Sequence, residues 1–267
     1  MLKDITLGQY FPIESPVHRL DPRTKLLLSF AYIIILFLVR GPAAYALCAL
    51  TVVAVTAVSH IPFKMLLKSL KPIAFLAVFT SVLNMLYTPG QILWQWHFIR
   101  ITIEGLESAA YMAARIVMLV ASTSLLTYAT SPVSLTDAIE TLLRPLMKIR
   151  VPVHEFAMMM TIALRFIPTL IEETDKIMNA QKARGADFES GNLMRRAKAL
   201  VPVLTPLFIS AFRRADELSV AMECRLYRGG QGRTRMKRLK MGKNDGAAFL
   251  LALLFAALAF GAGRIAP

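Results

Sequence analysis

The chain has little with which to do chemistry of its own. It holds two cysteines and four histidines in 267 residues. Cys48 lies in an apolar stretch and Cys224 in a basic helical one, which argues against a disulfide framework. The histidines (His18, His60, His97, His154) are scattered. His154-Glu155 begins like a zinc-protease motif, but Met158 stands where the second histidine would be. No G-x-x-x-x-G-K-[ST] is present, so the chain binds no ATP through a P-loop. Gly229-Gly230-Gln231-Gly232 is a lone glycine cluster and reads as a helix stop rather than a phosphate cradle. No Asp or Glu lies deep within an apolar run, where proton relays and ion-coupled carriers need one. Arg115 is the one deep ionisable residue, and it reads as structural: paired inside the bundle with a carboxylate or carbonyl, or snorkelling outward. No solenoid-type repeat or low-complexity tract is visible. The first apolar run begins only near Leu26, after a patterned polar segment, which does not fit a cleavable signal peptide.

What is abundant is apolar and basic together. Hydrophobic residues make up 56% of the chain and mean hydropathy is +0.54, more than a soluble domain of this size requires. Lys and Arg number 31 against 17 Asp and Glu, for a net charge of +14. A nucleic-acid binder would explain the charge but not the apolar runs, whereas a membrane protein with its charge on one side explains both.

The spacing predicts spans at Lys25 to Val39, Ala43 to Ser59, Pro72 to Tyr87, Glu104 to Tyr128 and Ala247 to Gly261. Gly41-Pro42 makes a tight turn between the first two. His60 to Lys71 reads as a basic, partly amphipathic connector. Thr88 to Thr102 reads as a loop whose Trp94 and Trp96 suit the membrane interface. Three helices are expected between Ser131 and Lys243: Leu135 to Lys148, Val153 to Ala183 with a kink at Pro168, and Val203 to Leu226 with Pro202 and Pro206 at its start. The expectation is an all-α integral membrane protein of about five transmembrane helices plus a cytoplasmic coupling region of three helices, two of them long. Residues 1–130 would hold four spans, 131–243 the coupling region and 244–267 the last span. In the short flanking segments Lys3, Arg19, Arg23, Lys25, Lys64, Lys68 and Lys71 stand against Arg40, Arg100 and Arg264 on the other side. That bias puts the N-terminus and the basic region in the cytoplasm and the C-terminus outside.

Two stretches share a plan. Arg165-Phe166-Ile167-Pro168 leads through Glu172, Glu173 and Asp175 to Gln181-Lys182-Ala183-Arg184-Gly185. Ala211-Phe212-Arg213-Arg214 leads through Asp216 and Glu217 to Met222-Glu223-Cys224-Arg225-Leu226-Tyr227-Arg228-Gly229-Gly230. Each is a long helix with an acidic turn that ends in small residues around a lone Arg, then glycine. An Arg at a helix end offers a planar fork of donors to a partner's carboxylate or helix-terminal carbonyls. The alternative is an ordinary C-terminal charge favoured by the macrodipole. The methionines, among them Met158-Met159-Met160, Met112, Met118, Met147, Met178 and Met194, suit an adaptable binding surface or plain core filling.

These two stretches, with Gly8-Gln9-Tyr10 and Ser15-Pro16-Val17-His18-Arg19-Leu20-Asp21-Pro22-Arg23-Thr24-Lys25, resemble the transmembrane T component of energy-coupling factor (ECF) transporters, the EcfT family, over nearly the whole chain. The resemblance implies a non-catalytic scaffold in a multi-pass prokaryotic cell membrane protein. It would join two ABC ATPases, identical or a related pair, to a substrate-binding membrane S component, one or several interchangeable, in vitamin or other micronutrient uptake. No nucleic acid is implied, and ATP belongs to the partner subunits. The resemblance places ATPase docking at Ala183-Arg184-Gly185 and at Cys224-Arg225-Leu226. The second triplet departs from the family's small flanks through Cys224 and Leu226. Coupling-helix support falls to Arg165, Pro168, Arg213, Arg214 and Glu223. Asp21-Pro22-Arg23 would anchor the first span or pack under the coupling helices. A membrane enzyme or a stand-alone carrier would need clustered His, Cys or carboxylates, or an inverted repeat.

Overall fold

A computed structural model describes residues 10–96, 99–188, 190, 192–229 and 239–265. The element order is α1 (Pro22–Leu38), α2 (Pro42–Val58), α3 (Phe63–Tyr87), β1 (Ile92–Trp96), β2 (Ile99–Thr102), α4 (Ile103–Ala129), α5 (Pro132–Leu143), a 3-10 turn (Arg144–Ile149), α6 (Val153–Ala183), α7 (Leu193–Cys224) and α8 (Lys243–Ile265). Apart from one hairpin the described fold is all-α, as expected of this membrane protein. By length and composition α3, α4, α6 and residues Lys243–Gly263 of α8 can cross a membrane, and α2 is a shorter apolar helix. The sequence reading counted α1 and α2 as spans and left α6 out. Helix α6 qualifies because, Glu155 and Arg165 aside, its charges gather from Glu172 onward.

Packing divides the chain into two units, one of residues 8–138 with 238–267, the other containing 139–237. In the first, α4 lies against α1, α2 and α3, and α8 lies against α1 and α2. Its core includes Leu36, Ala44, Cys48, Met118, Leu125 and Ala259. The groove between α3 and α4 is lined by Ala74, Ala77, Ser81, Ala109 and Ala113, small residues that let the two backbones approach. At Gly105 the approach is tight: a Cβ there would sit 2.7 Å from the Met85 carbonyl oxygen. Some hydroxyls within the apolar helices bond carbonyls of their own helix, as Thr51 does to Leu47 (2.9 Å) and Thr123 to Leu119 (3.0 Å), so these ask nothing of the surroundings.

A buried polar knot ties the N-terminal segment to three helices. Asp21 caps α1 by accepting the Arg23 amide at 2.9 Å, and its own amide donates to Asp245 Oδ1 of α8 at 2.9 Å. Asp245 also accepts the Gly242 amide at 2.7 Å. Lys25 Nζ donates to the carbonyls of His18 (3.0 Å) and Ala129 (2.8 Å), the latter at the end of α4. The Asp21-Pro22-Arg23 segment therefore anchors α1 at the base of this unit.

Four parts of the chain differ from the sequence reading. The basic connector is the first turns of α3, with Lys64, Lys68 and Lys71 on one face (i, i+4, i+7) and Pro72 inside the helix. Contacts hold that half in place: Leu66 is buried, and the Tyr128 hydroxyl bonds Ser69 Oγ and reaches the Met65 carbonyl. The 88–102 loop contains the hairpin, with Trp94 opposite Ile101 and Gln95 opposite Arg100, because its Ile, Leu and Trp residues favour extended backbone. Helix α7 starts at Leu193, ten residues earlier than read, so Pro202 and Pro206 lie inside it rather than at its start. Pro206 cannot donate to the Pro202 carbonyl, and the Gln181 amide of α6 takes that place at 3.4 Å. The Leu135 to Lys148 helix is divided into α5 and the 3-10 turn by Pro145.

Candidate docking site on the two long helices

In the second unit, α6 and α7 pack on each other. They run 31 and 32 residues, each about 47 Å if straight. An ion pair joins them where Arg214 Nη2 meets Glu173 Oε2 at 3.0 Å. Glu173 lies eleven residues before Arg184, and Arg214 lies eleven before Arg225. The second link, Gln181 to the Pro202 carbonyl, shows that the helices run in opposite senses across the contact. The two C-termini thus leave the crossing on opposite sides, each about 16 Å from the ion pair along its helix.

The ends themselves have the same backbone geometry. Arg184 is the C-cap of α6 (φ −88°, ψ 9°) and Arg225 that of α7 (φ −90°, ψ 12°). Each is followed by a residue in the left-handed region, Gly185 (φ 85°) and Leu226 (φ 55°). At the first end the Gly185 amide donates to Lys182 O (3.0 Å) and the Ala186 amide to Gln181 O (2.9 Å). At the second the Leu226 amide donates to Glu223 O (2.8 Å) and the Tyr227 amide to Met222 O (3.0 Å). Both are complete Schellman motifs, so the carbonyls of Gln181 and Lys182 at one end and of Met222 and Glu223 at the other are satisfied without the arginine side chains. Arg184 and Arg225 are exposed, and neither side chain has a hydrogen-bond or ion-pair partner among the described residues. Ala183, Gly185 and Cys224 are exposed beside them, and Leu226 is 74% exposed.

Of the residues read as helix support, Arg214 is brought to Glu173, and Pro168 lies inside α6. Arg165, Arg213 and Glu223 are exposed, and their side chains make no hydrogen bond or ion pair among the described residues. Gly230, at the edge of the second stretch, and Gly8-Gln9 of the N-terminal one lie outside the described residues. The roles of Glu173 and Gln181 were missed. Two prolines four apart were the available signal for Gln181, since they leave a carbonyl without its helical donor.

Uncovered apolar surface flanks the arginine ends. Val201, Leu204, Phe208 and Phe212 recur at helical spacing along α7, and Phe156, Met159 and Met160 are exposed on α6. Met147 and Met194 are exposed, whereas Met118 is core. His154 Nδ1 lies 3.0 Å from Glu140 Oε1, and no group of three His, Cys, Asp or Glu placed to hold a metal occurs among the described residues. Both cysteines are free.

A family model described as cobalt transport protein (CbiQ) matches residues 14–236. Proteins named energy-coupling factor transporter transmembrane protein EcfT are similar over nearly the full length. That of Ruminiclostridium cellulolyticum is 56% identical over 245 residues, 92% of either chain. That of Acidaminococcus fermentans is 54% identical over 261 residues, 97% of either. That of Bacillus subtilis is 48% identical over 261 residues, 97% of this chain and 98% of its own. The chain belongs to the EcfT family, the transmembrane components of energy-coupling factor transporters.

Proposed function

We propose that this chain is the mechanical, non-catalytic scaffold of its transporter, with Ala183-Arg184-Gly185 and Cys224-Arg225-Leu226 each seated in a groove of one ABC ATPase subunit. The observation that carries this reading is the pair of identical Schellman ends, each presenting an arginine that its own helix does not use. A helix-end charge can also fold back on the last turn's carbonyls, and here neither arginine side chain does so, while backbone amides fill two of those carbonyls at each end. ATP is bound and hydrolysed by the partners. When they close, the two helix ends are carried together, and the Glu173–Arg214 contact acts as the pivot of the crossed pair. The apolar stripe of α7 and the exposed methionines of α6 suit an S component, an apolar membrane subunit that brings the substrate. Adaptable methionines fit exchange among several S components. The N-terminus and the coupling helices are cytoplasmic in this reading and the C-terminus is outside.

The test is reconstitution with the two ATPases and an S component in liposomes. Arg184→Glu and Arg225→Glu should each weaken ATPase binding or uncouple hydrolysis from uptake while membrane insertion is unchanged. Unchanged uptake by both single variants and by the double variant would sink the docking role. A protease site after Gly232 should be cut only from the cytoplasmic side.

A further inference from the structure

Arg115 has a task that the docking reading leaves unused. It lies midway along α4, and no carboxylate pairs with it among the described residues. Its Nη2 donates to the Tyr45 hydroxyl, and its guanidinium lies over the rings of Phe37 (5.6 Å) and Tyr45 (5.8 Å). The Nε–H is buried without a partner. Phe37 is the penultimate residue of α1 and Tyr45 is in the first turn of α2. Arg115 is therefore level with the α1–α2 turn, where Arg40 is exposed.

Depth follows from helix lengths. Arg115 lies fourteen residues from Ala129, the α4 residue bonded to Lys25 at the base of α1, which is about 21 Å along the axis. Helices α1 and α2, at 17 residues each, span about 25 Å, a little less than the ~30 Å of hydrocarbon. With α1 and α2 crossing the bilayer, Arg115 lies past the midplane in the leaflet opposite Lys25, within the reach of an arginine side chain from that leaflet's headgroups. The remainder of α4, toward Ile103, carries Glu104 and Glu107, as a segment that reaches those headgroups should. Those acids are occupied elsewhere: Glu104 accepts the Gln91 amide at 2.7 Å, and Glu107 accepts the Tyr111 hydroxyl at 3.3 Å.

A guanidinium held inside the hydrocarbon, with a buried Nε–H that has no partner, calls for an anion. The surface beside it says which kind. Leu27, Phe30, Ile34 and Phe37 recur at helical spacing along α1, all exposed, and the stripe ends beneath the guanidinium. We propose that Arg115, with Arg40 beside the turn, binds the phosphodiester headgroup of an anionic glycerophospholipid whose acyl chain lies along this stripe. The fork of the guanidinium matches a phosphate, and the aromatic rings hold it in orientation. A free phosphate would leave the stripe without a role.

The full-length chain, purified in detergent and stripped of lipid, is titrated with phosphatidylglycerol, diacylglycerol or inorganic phosphate, and adducts are read by native mass spectrometry. Phosphatidylglycerol should bind at one lipid per chain. Binding should weaken about tenfold in Arg115→Gln and less in Arg115→Lys. Arg40→Gln, at an exposed turn that cannot unfold the bundle, should weaken it by a smaller factor. Equal binding by wild type and all three variants overturns the site. Equal binding of diacylglycerol overturns the role of the phosphate, and competition by millimolar inorganic phosphate alone overturns the lipid. A cross-link from position 115 to a carboxylate of a partner subunit would replace the lipid with a protein.

Discussion

Leu226 occupies a position that its own fold would give to glycine. It is the left-handed residue of the α7 cap, the place Gly185 fills on α6. For an L-residue this conformation costs about 1–2 kcal/mol. Replacing leucine with glycine removes that cost but adds chain entropy to the unfolded state, worth about 0.5–1 kcal/mol. Packing lost with the side chain is small, because Leu226 is 74% exposed. Leu226→Gly should therefore stabilise the chain by up to about 1 kcal/mol, and Gly185→Leu should destabilise it by about 1 kcal/mol. Denaturant titration of the detergent-solubilised chain, followed by circular dichroism, measures both. Assembly with the ATPases is then measured on the same variants. The reasoning expects Leu226→Gly to be more stable yet to assemble less well, since a strained, exposed leucine is kept for a contact outside the chain. A loss of stability in Leu226→Gly would refute the strain argument, and unchanged assembly would refute the contact.

Lys25→Met should cost about 2–6 kcal/mol, because the His18 and Ala129 carbonyls would each lose their buried donor; a drop below about 1 kcal/mol in the same titration would contradict the knot. Gly105→Ala forces a Cβ to 2.7 Å from the Met85 carbonyl, so α3 and α4 must separate, at about 1–3 kcal/mol; a melting temperature equal to wild type would show that the approach is not tight. The His18 imidazole titrates below its ordinary value of 6.5, because burial and then the charge of Lys25 oppose protonation. The folded state then binds the proton less readily than the unfolded one. Its contribution is fully present above pH 6.5 and is lost as pH falls below it. Melting temperature should fall between pH 7.5 and 5.5, and His18→Gln should flatten that slope.

Most helices were legible because apolar runs between turn residues leave few alternatives. Gly41-Pro42 marks the first hairpin, and α6 begins and ends where its pattern does. Two of the failures, at the starts of α3 and α7, share one cause. Proline was taken as a boundary at Pro72, Pro202 and Pro206, yet each lies inside a helix. A single lost hydrogen bond is tolerated when neighbouring contacts hold the turn or supply a substitute donor, as Gln181 does. The hairpin was hidden by its shortness. At the site, both arginines and their flanks were legible as a repeated pattern. That Leu226 plays the part of Gly185 was not, because a leucine gives no sign that it will turn left-handed. The Glu173–Arg214 pair was equally invisible, since its partners lie on different helices and only packing brings them together.

The placement of the prolines bears on how force would travel through α6 and α7. Between Glu173 and Arg184, and between Arg214 and Arg225, there is neither proline nor glycine before the cap. Both arms are continuous helix from the ion pair to the arginine end, and each is closed by a Schellman cap. Pro168, Pro202 and Pro206 all lie on the other side of the ion pair in their helices. Helices bend where a hydrogen bond is missing. A displacement applied at Arg184 or Arg225 is thus delivered to the ion pair by stiff arms of equal length, and bending is taken up in the N-terminal part of the same helix, where the prolines lie and, on α7, the exposed Leu204, Phe208 and Ile209. Within each helix the stretch from the ion pair to the arginine is rigid and the stretch before the ion pair can yield, and because the helices run in opposite senses each stiff arm lies beside its partner's yielding stretch. A scaffold that turns closure of two ATPases into movement of a membrane subunit needs that division.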